Sequence, residues 1–304
     1  MREILEQLST EIVNIANKVE GKTILVSRFP ETIIPDVFVK AVDVARGFKT
    51  VAVSQPNHSA PERVEGISSA IYSLADLRWK NYLSADEIRA WEKVSGGIQQ
   101  AIAGKVARGV AELERTRDIL LAQALTGTIS YPQYPSGTFS VSFGAVETAT
   151  WDATDILGTI ESGIDKLSKN GFGGKYYLFA GRTRFDEIIS NSDIQTLIQG
   201  QAIAVGVLSG ETNLNIRGVE VVYAGYTVVL PNDTTTPLIP PTKAYLVAVD
   251  SVVNVFGIPN LINAIPSRYQ VALAYNEKDL QGVEIVVATR YLPLAFVKGI
   301  VEFS

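Results

Sequence analysis

The hydrophobic pattern is strongest in the middle of the chain, where it predicts one long helix. Between residues 97 and 126 apolar side chains recur every three or four positions, so they fall on one face at 3.6 residues per turn. A helix of this length would be a rod of roughly 45 Å. The apolar face consists of Ile98, Ile102, Val106, Val110, Leu113, Leu120 and Ala124.

Three residues interrupt the pattern of this helix. Gly104 and Gly109 lie inside it, where a glycine costs about 1 kcal/mol relative to alanine but permits close approach of another backbone. Arg117 falls within the apolar face, and we expect its stem to snorkel outward to solvent. The alternative is that Arg117 makes a bond across a subunit boundary.

The long helix is predicted to end in the sequence Leu-Thr-Gly at 125–127 and to turn directly into a two-stranded ribbon. The two strands are predicted at residues 128–131 and 138–143. A rigid helix joined to a ribbon, with little chemistry nearby, indicates a building block rather than a catalyst.

The region before the long helix is predicted to be largely extended. Residues 3–19 carry an amphipathic helical pattern, whereas Pro30 and Pro35 exclude a continuous helix in 23–40. Residues 41–83 are irregular and β-leaning, with extended segments at 49–53 and 67–74. Such an excursion is unusual in a compact enzyme domain and suits an arm and a projecting loop that contact other subunits. Ser84 and Glu87 form a capping box for a short helix that reaches about residue 94.

From residue 151 the pattern predicts helices followed by strands. Asp152 or Thr154 is expected to cap a helix that Asn170 and Gly171 close. A strand at 175–180 precedes helices at 181–190 and 193–199, and 258–263 is ambiguous. Pro293 is expected to separate the last two strands. The later strands are predicted at 214–217, 219–224, 226–230, 243–249, 269–275, 283–290 and 294–303. Because helices and strands occur in separate runs, the predicted class is α+β.

Composition narrows the possible functions. A chain of 304 residues predicts about two domains. With 46% hydrophobic and 19% charged residues it is light in charge, which fits a packed enzyme core or, slightly better, a surface covered by other subunits. A net charge of −5 argues against tight wrapping of nucleic acid. No apolar run is long enough to span a membrane.

Candidate chemistry is sparse. The chain has 0 Cys and 1 His, and that histidine, His58, is expected to face solvent, so neither a Ser-His-Asp triad nor a classical zinc site is predicted. The glycines of 171–174 precede a strand, whereas phosphate-binding glycines follow one, so a turn is the better interpretation. Asp152 and Asp155 are better explained as helix caps than as catalytic carboxylates. We therefore expect no catalytic residue, no cofactor and no metal.

Five stretches, in order along residues 98–304, carry a resemblance to a known family. Residues 112–127, ELERTRDILLAQALTG, lead into TISYPQYPSGTFSVSFG. The others are TWDATDILGTIESGIDKL, YYLFAGRTRFDEIISN, IRGVEVVYAGYTVVL and the closing EIVVATRYLPLAFVKGIVEFS. Their order resembles that of the lambda-type tailed-phage major capsid proteins, which have the Hong Kong-97 phage capsid fold.

The resemblance implies a division of the chain. Residues 1–45 would be an N-terminal arm and 46–83 an extended loop lying over a neighbouring subunit. Residues 84–150 would form a peripheral domain with the spine helix at 97–126, to which 281–304 return as strands. Residues 151–280 would be an axial domain. Subunit-interface residues are predicted at Phe48, Lys49, Ile67, Tyr72, Arg78, Trp79 and Arg117.

The resemblance also implies a structural, non-enzymatic function. Copies of the chain would form pentamers and hexamers of an icosahedral head that encloses double-stranded DNA without reading its sequence. The protein would reside in the virion head after assembly in the host cytoplasm, with a decoration protein, a scaffold and a portal as further partners and no membrane. Residues 46–80 would be dispensable for folding and required for shells. The alternatives are an encapsulin-like cellular shell and, less favoured, a small soluble α+β enzyme.

Overall fold

The computed structural model describes residues 23–44, 67–94, 96–199, 205–208, 211–261, 264–275 and 282–304. The predicted helix at 3–19, the segment 49–53, and the interface candidates Phe48 and Lys49 lie outside these residues.

The helices follow the hydrophobic pattern closely. The Ser84–Glu87 capping box is confirmed, since each residue's side chain accepts the backbone N–H of the other. Gly96, which has a left-handed conformation with φ of 70°, is the N-cap residue of the long helix. The described helices are α1 (Ala85–Glu92), α2 (Gly97–Ala124), α3 (Ile156–Lys169), α4 (Arg182–Ser190) and α5 (Ser192–Gln199).

Strands account for most of the remaining regular structure. Those of the first half are β1 (Glu31–Ile33), β2 (Phe38–Val44), β3 (Ile67–Ser73), β4 (Ala75–Ser84), β5 (Thr128–Pro132), β6 (Thr138–Ser142), β7 (Glu147–Ala149) and β8 (Tyr176–Ala180). Those of the second half are β9 (Val205–Leu208), β10 (Glu211–Ile216), β11 (Val219–Tyr223), β12 (Thr227–Val229), β13 (Thr235–Pro237), β14 (Ala244–Ala248), β15 (Val252–Phe256), β16 (Gln270–Tyr275), β17 (Gly282–Ala295) and β18 (Ile300–Phe303). The α+β class is confirmed.

A five-stranded sheet is built around β17, the longest strand. β4 runs antiparallel along one edge of β17, while β16 and then β15 occupy the other edge. β1 pairs in parallel with β15 and forms the edge of the sheet. The apolar face of α2 packs on this sheet, where Ile102, Val106 and Val110 meet Leu83 and Val287 in one buried cluster.

A seven-stranded sheet in the order β7-β18-β14-β8-β11-β10-β9 forms the second layer of the fold. Its central strands β8 and β14 are buried along their whole length. Helix α3 packs closely on β14 and β18, because a Cβ at Gly163 would stand 2.7 Å from Leu246 and from Phe303. The two sheets are joined covalently by the turn 297–299 between β17 and β18.

Three local predictions are corrected. The last two strands are not separated at Pro293, because β17 continues through it to Ala295. The missing N–H of Pro293 costs no hydrogen bond, because β4 ends opposite Tyr291 and does not reach Pro293 on that edge. Asp155 caps α3 by accepting the N–H of Gly158, in agreement with its interpretation as a helix cap, whereas Asp152 accepts the N–H of Thr154 and neither of these two residues caps α3. Residues 75–83, expected only as part of an irregular, β-leaning segment, form with Ser84 the regular strand β4, whose ten residues all pair with β17.

The two glycines of α2 lie in different surroundings. At Gly109 a Cβ would stand 2.6 Å from the ring of Trp79 on β4, so the glycine lets an indole lie against the helix backbone. The indole Nε1–H donates to Glu112 at 2.8 Å, one turn further along α2. At Gly104 no atom lies within 4 Å of the same position. The close approach predicted for a glycine of this helix is therefore found at Gly109, and a side chain makes it.

The substitution Gly109→Ala is expected to destabilise the subunit, because the added methyl overlaps the Trp79 ring. We expect a loss of about 1–3 kcal/mol in the free energy of unfolding, measured by urea denaturation of unassembled subunits. Gly104→Ala is the matched control and should stabilise by about 0.5–1 kcal/mol through helix propensity alone. Equal effects at the two positions would contradict the proposed packing of Trp79.

Candidate assembly interface

The ribbon formed by β2 and β3 is the clearest projecting surface of the described chain. The two strands pair only with each other, from Phe38 opposite Ser73 to Val44 opposite Ile67. Phe38, which is 51% exposed, and Ile71, which is 72% exposed, give the ribbon two apolar side chains at its surface. A ribbon with this surface is suited to contact another protein.

The root of this ribbon is fixed to the body of the subunit. The N–H of Leu74 donates to the carbonyl of Val37 at 3.1 Å and closes the hairpin's base. Tyr72 packs edge-on against Phe143, with ring centroids 5.2 Å apart, next to the end of β6. The ribbon therefore leaves the subunit at a defined place beside the β5–β6 ribbon.

The predicted interface residues of the described chain lie in two places. Ile67 and Tyr72 are on β3, at the far end and near the root of the ribbon respectively. Arg78 and Trp79 are on β4, in the five-stranded sheet. The Arg78 side chain faces solvent and bonds Asp76 at 2.7 Å, whereas Trp79 is half-buried against α2. The assignment of these four residues to an interface remains a prediction.

Arg117 corrects the expectation that its side chain would snorkel to solvent. The guanidinium is 0% exposed and lies over the rings of Phe256 at 4.5 Å and Tyr291 at 4.8 Å. Its Nη1 donates to Glu114 at 2.7 Å and to the hydroxyl of Tyr269 at 3.0 Å. These contacts are internal to one subunit, so its burial gives no support to the predicted bond across a subunit boundary.

The buried guanidinium joins distant parts of the sequence. Nη2 of Arg117 donates to Glu31 at 3.0 Å, at the first residue of β1. Arg268 donates to Glu114 at 2.9 Å, and the Tyr269 hydroxyl donates to the same carboxylate oxygen. Arg117, Glu114, Glu31, Arg268 and Tyr269 together form what we refer to as the Arg117 cluster.

The neighbours of Arg117 and Tyr269 shift the pKa values of these two buried groups. Burial by itself lowers the pKa of Arg117, but interactions with Tyr269, Tyr291 and Glu114 outweigh it, so the pKa lies above its ordinary value. Burial raises the pKa of Tyr269, which keeps its hydroxyl protonated as a donor. Arg117 is therefore always charged and depends on its partners for compensation.

The neighbouring Asp118 holds the chain that precedes β1. Its carboxylate accepts the backbone N–H groups of Ile24 at 2.7 Å, Leu25 at 3.1 Å and Val26 at 3.0 Å. Burial raises the pKa of Asp118 to about 6, against the three N–H bonds, which lower it. The carboxylate acts like a cap for a turn of chain more than 90 residues away.

A second buried side chain secures the same segment. The amide of Asn254 donates to the carbonyls of Val26 at 3.0 Å and Phe29 at 3.3 Å, and its oxygen accepts from the hydroxyl of Tyr291. Residues 24–29 are thus anchored from both sides, by α2 and by β15. The sequence analysis missed Asp118, Asn254 and Glu31; a carboxylate beside Arg117 on the helix was the available signal.

The described part of the chain shows no candidate metal site. Within these ranges no group of three His, Asp or Glu side chains could hold a metal ion. The glycines of 171–174 form a turn between α3 and β8, with Gly171 and Gly174 in left-handed conformations. No helix in the described part of the chain combines the length and apolarity needed to cross a bilayer. His58 lies outside the described residues.

Comparison with known proteins points to one family. A family model described as phage major capsid protein E matches residues 31–303. No curated protein sequence matches the chain.

Solved structures share the fold at low sequence identity. A prophage capsid protein of E. coli CFT073 is 9% identical, with a TM-score of 0.65 and 98% of each chain covered. The mature capsid of bacteriophage PhiM1 is 10% identical, with a TM-score of 0.57, covering 94% of this chain and 87% of that one. The SrpI encapsulin of Synechococcus elongatus PCC 7942 is 14% identical, with a TM-score of 0.54, covering 94% and 89%.

Removing the buried guanidinium is expected to be strongly destabilising. Arg117→Met keeps much of the volume but leaves Glu114 buried without its closest cation, at a cost of about 3–5 kcal/mol in the free energy of unfolding. Arg108→Met is the control, because Arg108 pairs with Glu112 on the exposed side of α2 and should contribute no more than about 1 kcal/mol. Urea denaturation of both variants measures the difference; equal losses would contradict the role of the cluster.

The raised pKa of Asp118 predicts a pH dependence of stability. A folded pKa of about 6, against an ordinary value of 3.8, favours the protonated acid in the folded state. The stability of the natural chain relative to Asp118→Asn should therefore fall, by at most roughly 3 kcal/mol, as pH rises from about 4 to above 6. Urea denaturation at a series of pH values tests this. A relative stability that rises over the same range would show that the three N–H bonds outweigh burial.

Proposed function

The chain belongs to the phage major capsid protein E family, and from that premise we propose that its copies form the pentamers and hexamers of an icosahedral head that encloses double-stranded DNA. The family is one of shell-forming structural proteins, not enzymes, and the chain has the Hong Kong-97-type capsid fold. Its place is the head of the virion. We further propose that the head is assembled in the host cytoplasm, with a scaffold, a portal and a decoration protein as partners.

The observation that carries this proposal is the ribbon of β2 and β3. It is fixed at its root, pairs with no other described strand and exposes Phe38 and Ile71. In an assembly of identical subunits such a ribbon would cover a neighbour, and each contact can be weak because a subunit with several neighbours sums them. We propose it as the extended loop of the subunit.

The division of the chain is proposed with new bounds for the arm, the loop and the axial domain. Strand β4 is hydrogen-bonded along β17, so we assign residues 75–83 to the peripheral domain with α2 and the return strands. The extended loop then comprises about 38–73, and the seven-stranded sheet with α3 to α5 is the core of the axial domain. The N-terminal arm precedes the segment that Asp118 anchors.

DNA would be enclosed without being read. The chain carries a net charge of −5, whereas wrapping of DNA requires clustered Lys and Arg that release counterions. We propose a wall that faces DNA and makes few direct bonds to it. The encapsulin alternative is less favoured, because the family model that matches almost the whole chain describes phage capsid proteins.

Shortening the ribbon should abolish shells without unfolding the subunit. Val39 and Tyr72 are paired across the ribbon, so an Asn-Gly turn can join them in place of residues 40–71. Deletion of residues 46–80 is unsuitable for this purpose, because it would also remove residues 75–80 of β4. We expect native circular dichroism and a cooperative melt, with no closed particles in negative-stain electron microscopy.

A point substitution supplies the control for this experiment. Ile71→Asp places a charge on the exposed apolar face of the ribbon and should lower the yield of shells at least tenfold, whereas Ile71→Val should leave it unchanged. Normal shells from the shortened chain would contradict the assignment of the ribbon as the extended loop. Failure of the natural chain to form any large assembly would contradict the proposed function itself.

A further inference from the structure

The β5–β6 ribbon is an exposed surface without charge. Residues 127–146, which contain it, include no Asp, Glu, Lys, Arg or His. One face of the ribbon, with Ile129, Tyr131 and Val141, is buried in the core below it. The other face consists mainly of small hydroxyl side chains and is exposed.

Among the strands that the structure describes, none pairs with the outer edge of β6. The N–H of Phe143 donates to the carbonyl of Gly127 at 2.8 Å, and the N–H of Gln133 donates to that of Gly137 at 3.1 Å. These two bonds, at the two ends of the ribbon, identify which opposite residues of β5 and β6 are hydrogen-bonded pairs. By the alternation of an antiparallel ladder, three residues of β6 direct both their N–H and C=O groups away from β5. These residues, all exposed, are Thr138, Ser140 and Ser142.

The opposite edge, along β5, is blocked. The outward N–H of Ser130 donates to the side chain of Gln123 at 3.0 Å. Pro132, the next outward residue on β5, has no N–H to offer. By contrast, β6 carries none of the lysines or prolines that natural proteins use to protect an exposed edge. The ribbon is therefore open to strand addition on one side only.

We propose that β6 pairs antiparallel with β6 of a second copy of this chain, about a twofold axis through Ser140. This inference rests on the proposed function, since it names one contact between subunits of the shell. It is an isologous contact, in which each copy presents the same residues to the other.

The sequence of β6 is self-complementary in this register. Reversal of the strand Thr-Phe-Ser-Val-Ser places hydroxyl residues opposite hydroxyl residues and Phe139 opposite Val141 of the second copy. This is the same alternation by which β5 already pairs with β6: Ser130 lies opposite Ser140, and Ile129 opposite Val141. A second copy therefore reproduces a pairing that the fold already contains.

The absence of charge favours a second copy over a different partner. A charged partner would find no complementary charge on residues 127–146, whereas two identical edges meet without like-charge repulsion. The edge of three outward residues supplies the main-chain hydrogen bonds of strand addition. In a shell of identical subunits the available occupant at high local concentration is the chain itself.

A single engineered cysteine tests the register, because the chain has 0 Cys. In the proposed pairing the two Ser140 Cα atoms are about 5.5 Å apart, within the range that a disulfide bridges. Ser140→Cys should give a reducible dimer on a denaturing gel after mild oxidation of assembled shells. Ser130→Cys is the matched control: it lies across the ribbon on the same exposed face, but its two copies would be roughly 14 Å apart.

Each outcome of this experiment has a definite meaning. Reducible dimers from Ser140→Cys and none from Ser130→Cys support the pairing. Shells that assemble without a cross-link at 140, or with equal cross-linking at 130, overturn it and leave the proposed function intact. Failure of the unsubstituted chain to assemble overturns both.

A second pair of variants covers the case in which Ser140→Cys subunits do not assemble. Ser140→Lys and Ser140→Glu should each reduce shell yield at least tenfold, because like charges meet on the axis. Mixed in equal amounts, they should recover most of the yield, since Lys then faces Glu. No recovery on mixing would overturn the inference.

Discussion

The burial of one guanidinium, that of Arg117, constrains much of the subunit. A charge that cannot reach water must be paired inside the protein, and the partners of Arg117 come from β1, α2 and the loop before β16. The rings of Phe256 and Tyr291 enclose it from β15 and β17. Any arrangement of these elements that separates them leaves an uncompensated buried charge. The cluster therefore specifies how the N-terminal segment, the long helix and the five-stranded sheet come together.

Asp118 and Asn254 extend the same constraint to chain with little regular structure. Residues 24–29 form a single short turn, yet several of their N–H and C=O groups are satisfied by α2 on one side and β15 on the other. Leu25, Val26 and Phe29 of this segment are also buried in the hydrophobic core, so polar and apolar contacts together hold it. The chain is therefore attached to the body at a fixed place before it continues to the β2–β3 ribbon. A subunit that contacts its neighbours through extended pieces requires such attachment.

The sequence predicted the elements whose signals are local. The capping box at Ser84, the long helix from residue 97 and the ribbon after Gly127 follow from periodicity and turn chemistry, and the structure confirms them. The sequence analysis did not predict β15, and it placed β1 and most of β4 only within broad extended or β-leaning stretches, because the place of these strands is set by pairing in the sheet around β17. The interruption expected at Pro293 was wrong for the same reason: whether a proline breaks a strand depends on which edge has a neighbour. The snorkelling expected of Arg117 was wrong because most of the acids and tyrosines that hold it lie at distant positions in the sequence. The proposed pairing of β6 with a second copy would be made by main-chain hydrogen bonds. Such a contact has no side-chain motif, so the absence of charge is the signal it leaves in the sequence.

The pairing of β4 with β17 has a mechanical consequence. β4 comes directly after the β2–β3 ribbon, and its residues from Ala75 to Ser84 are in register with Tyr291 to Gly282. Tension that enters the subunit through the ribbon is thus directed along the axis of β4. It would stretch the hydrogen bonds of the ladder together, in shear, and could not peel them apart one at a time. A particle wall under internal pressure would then transmit its tension through a whole strand, and the tensile strength of each subunit would be set by the length of that ladder.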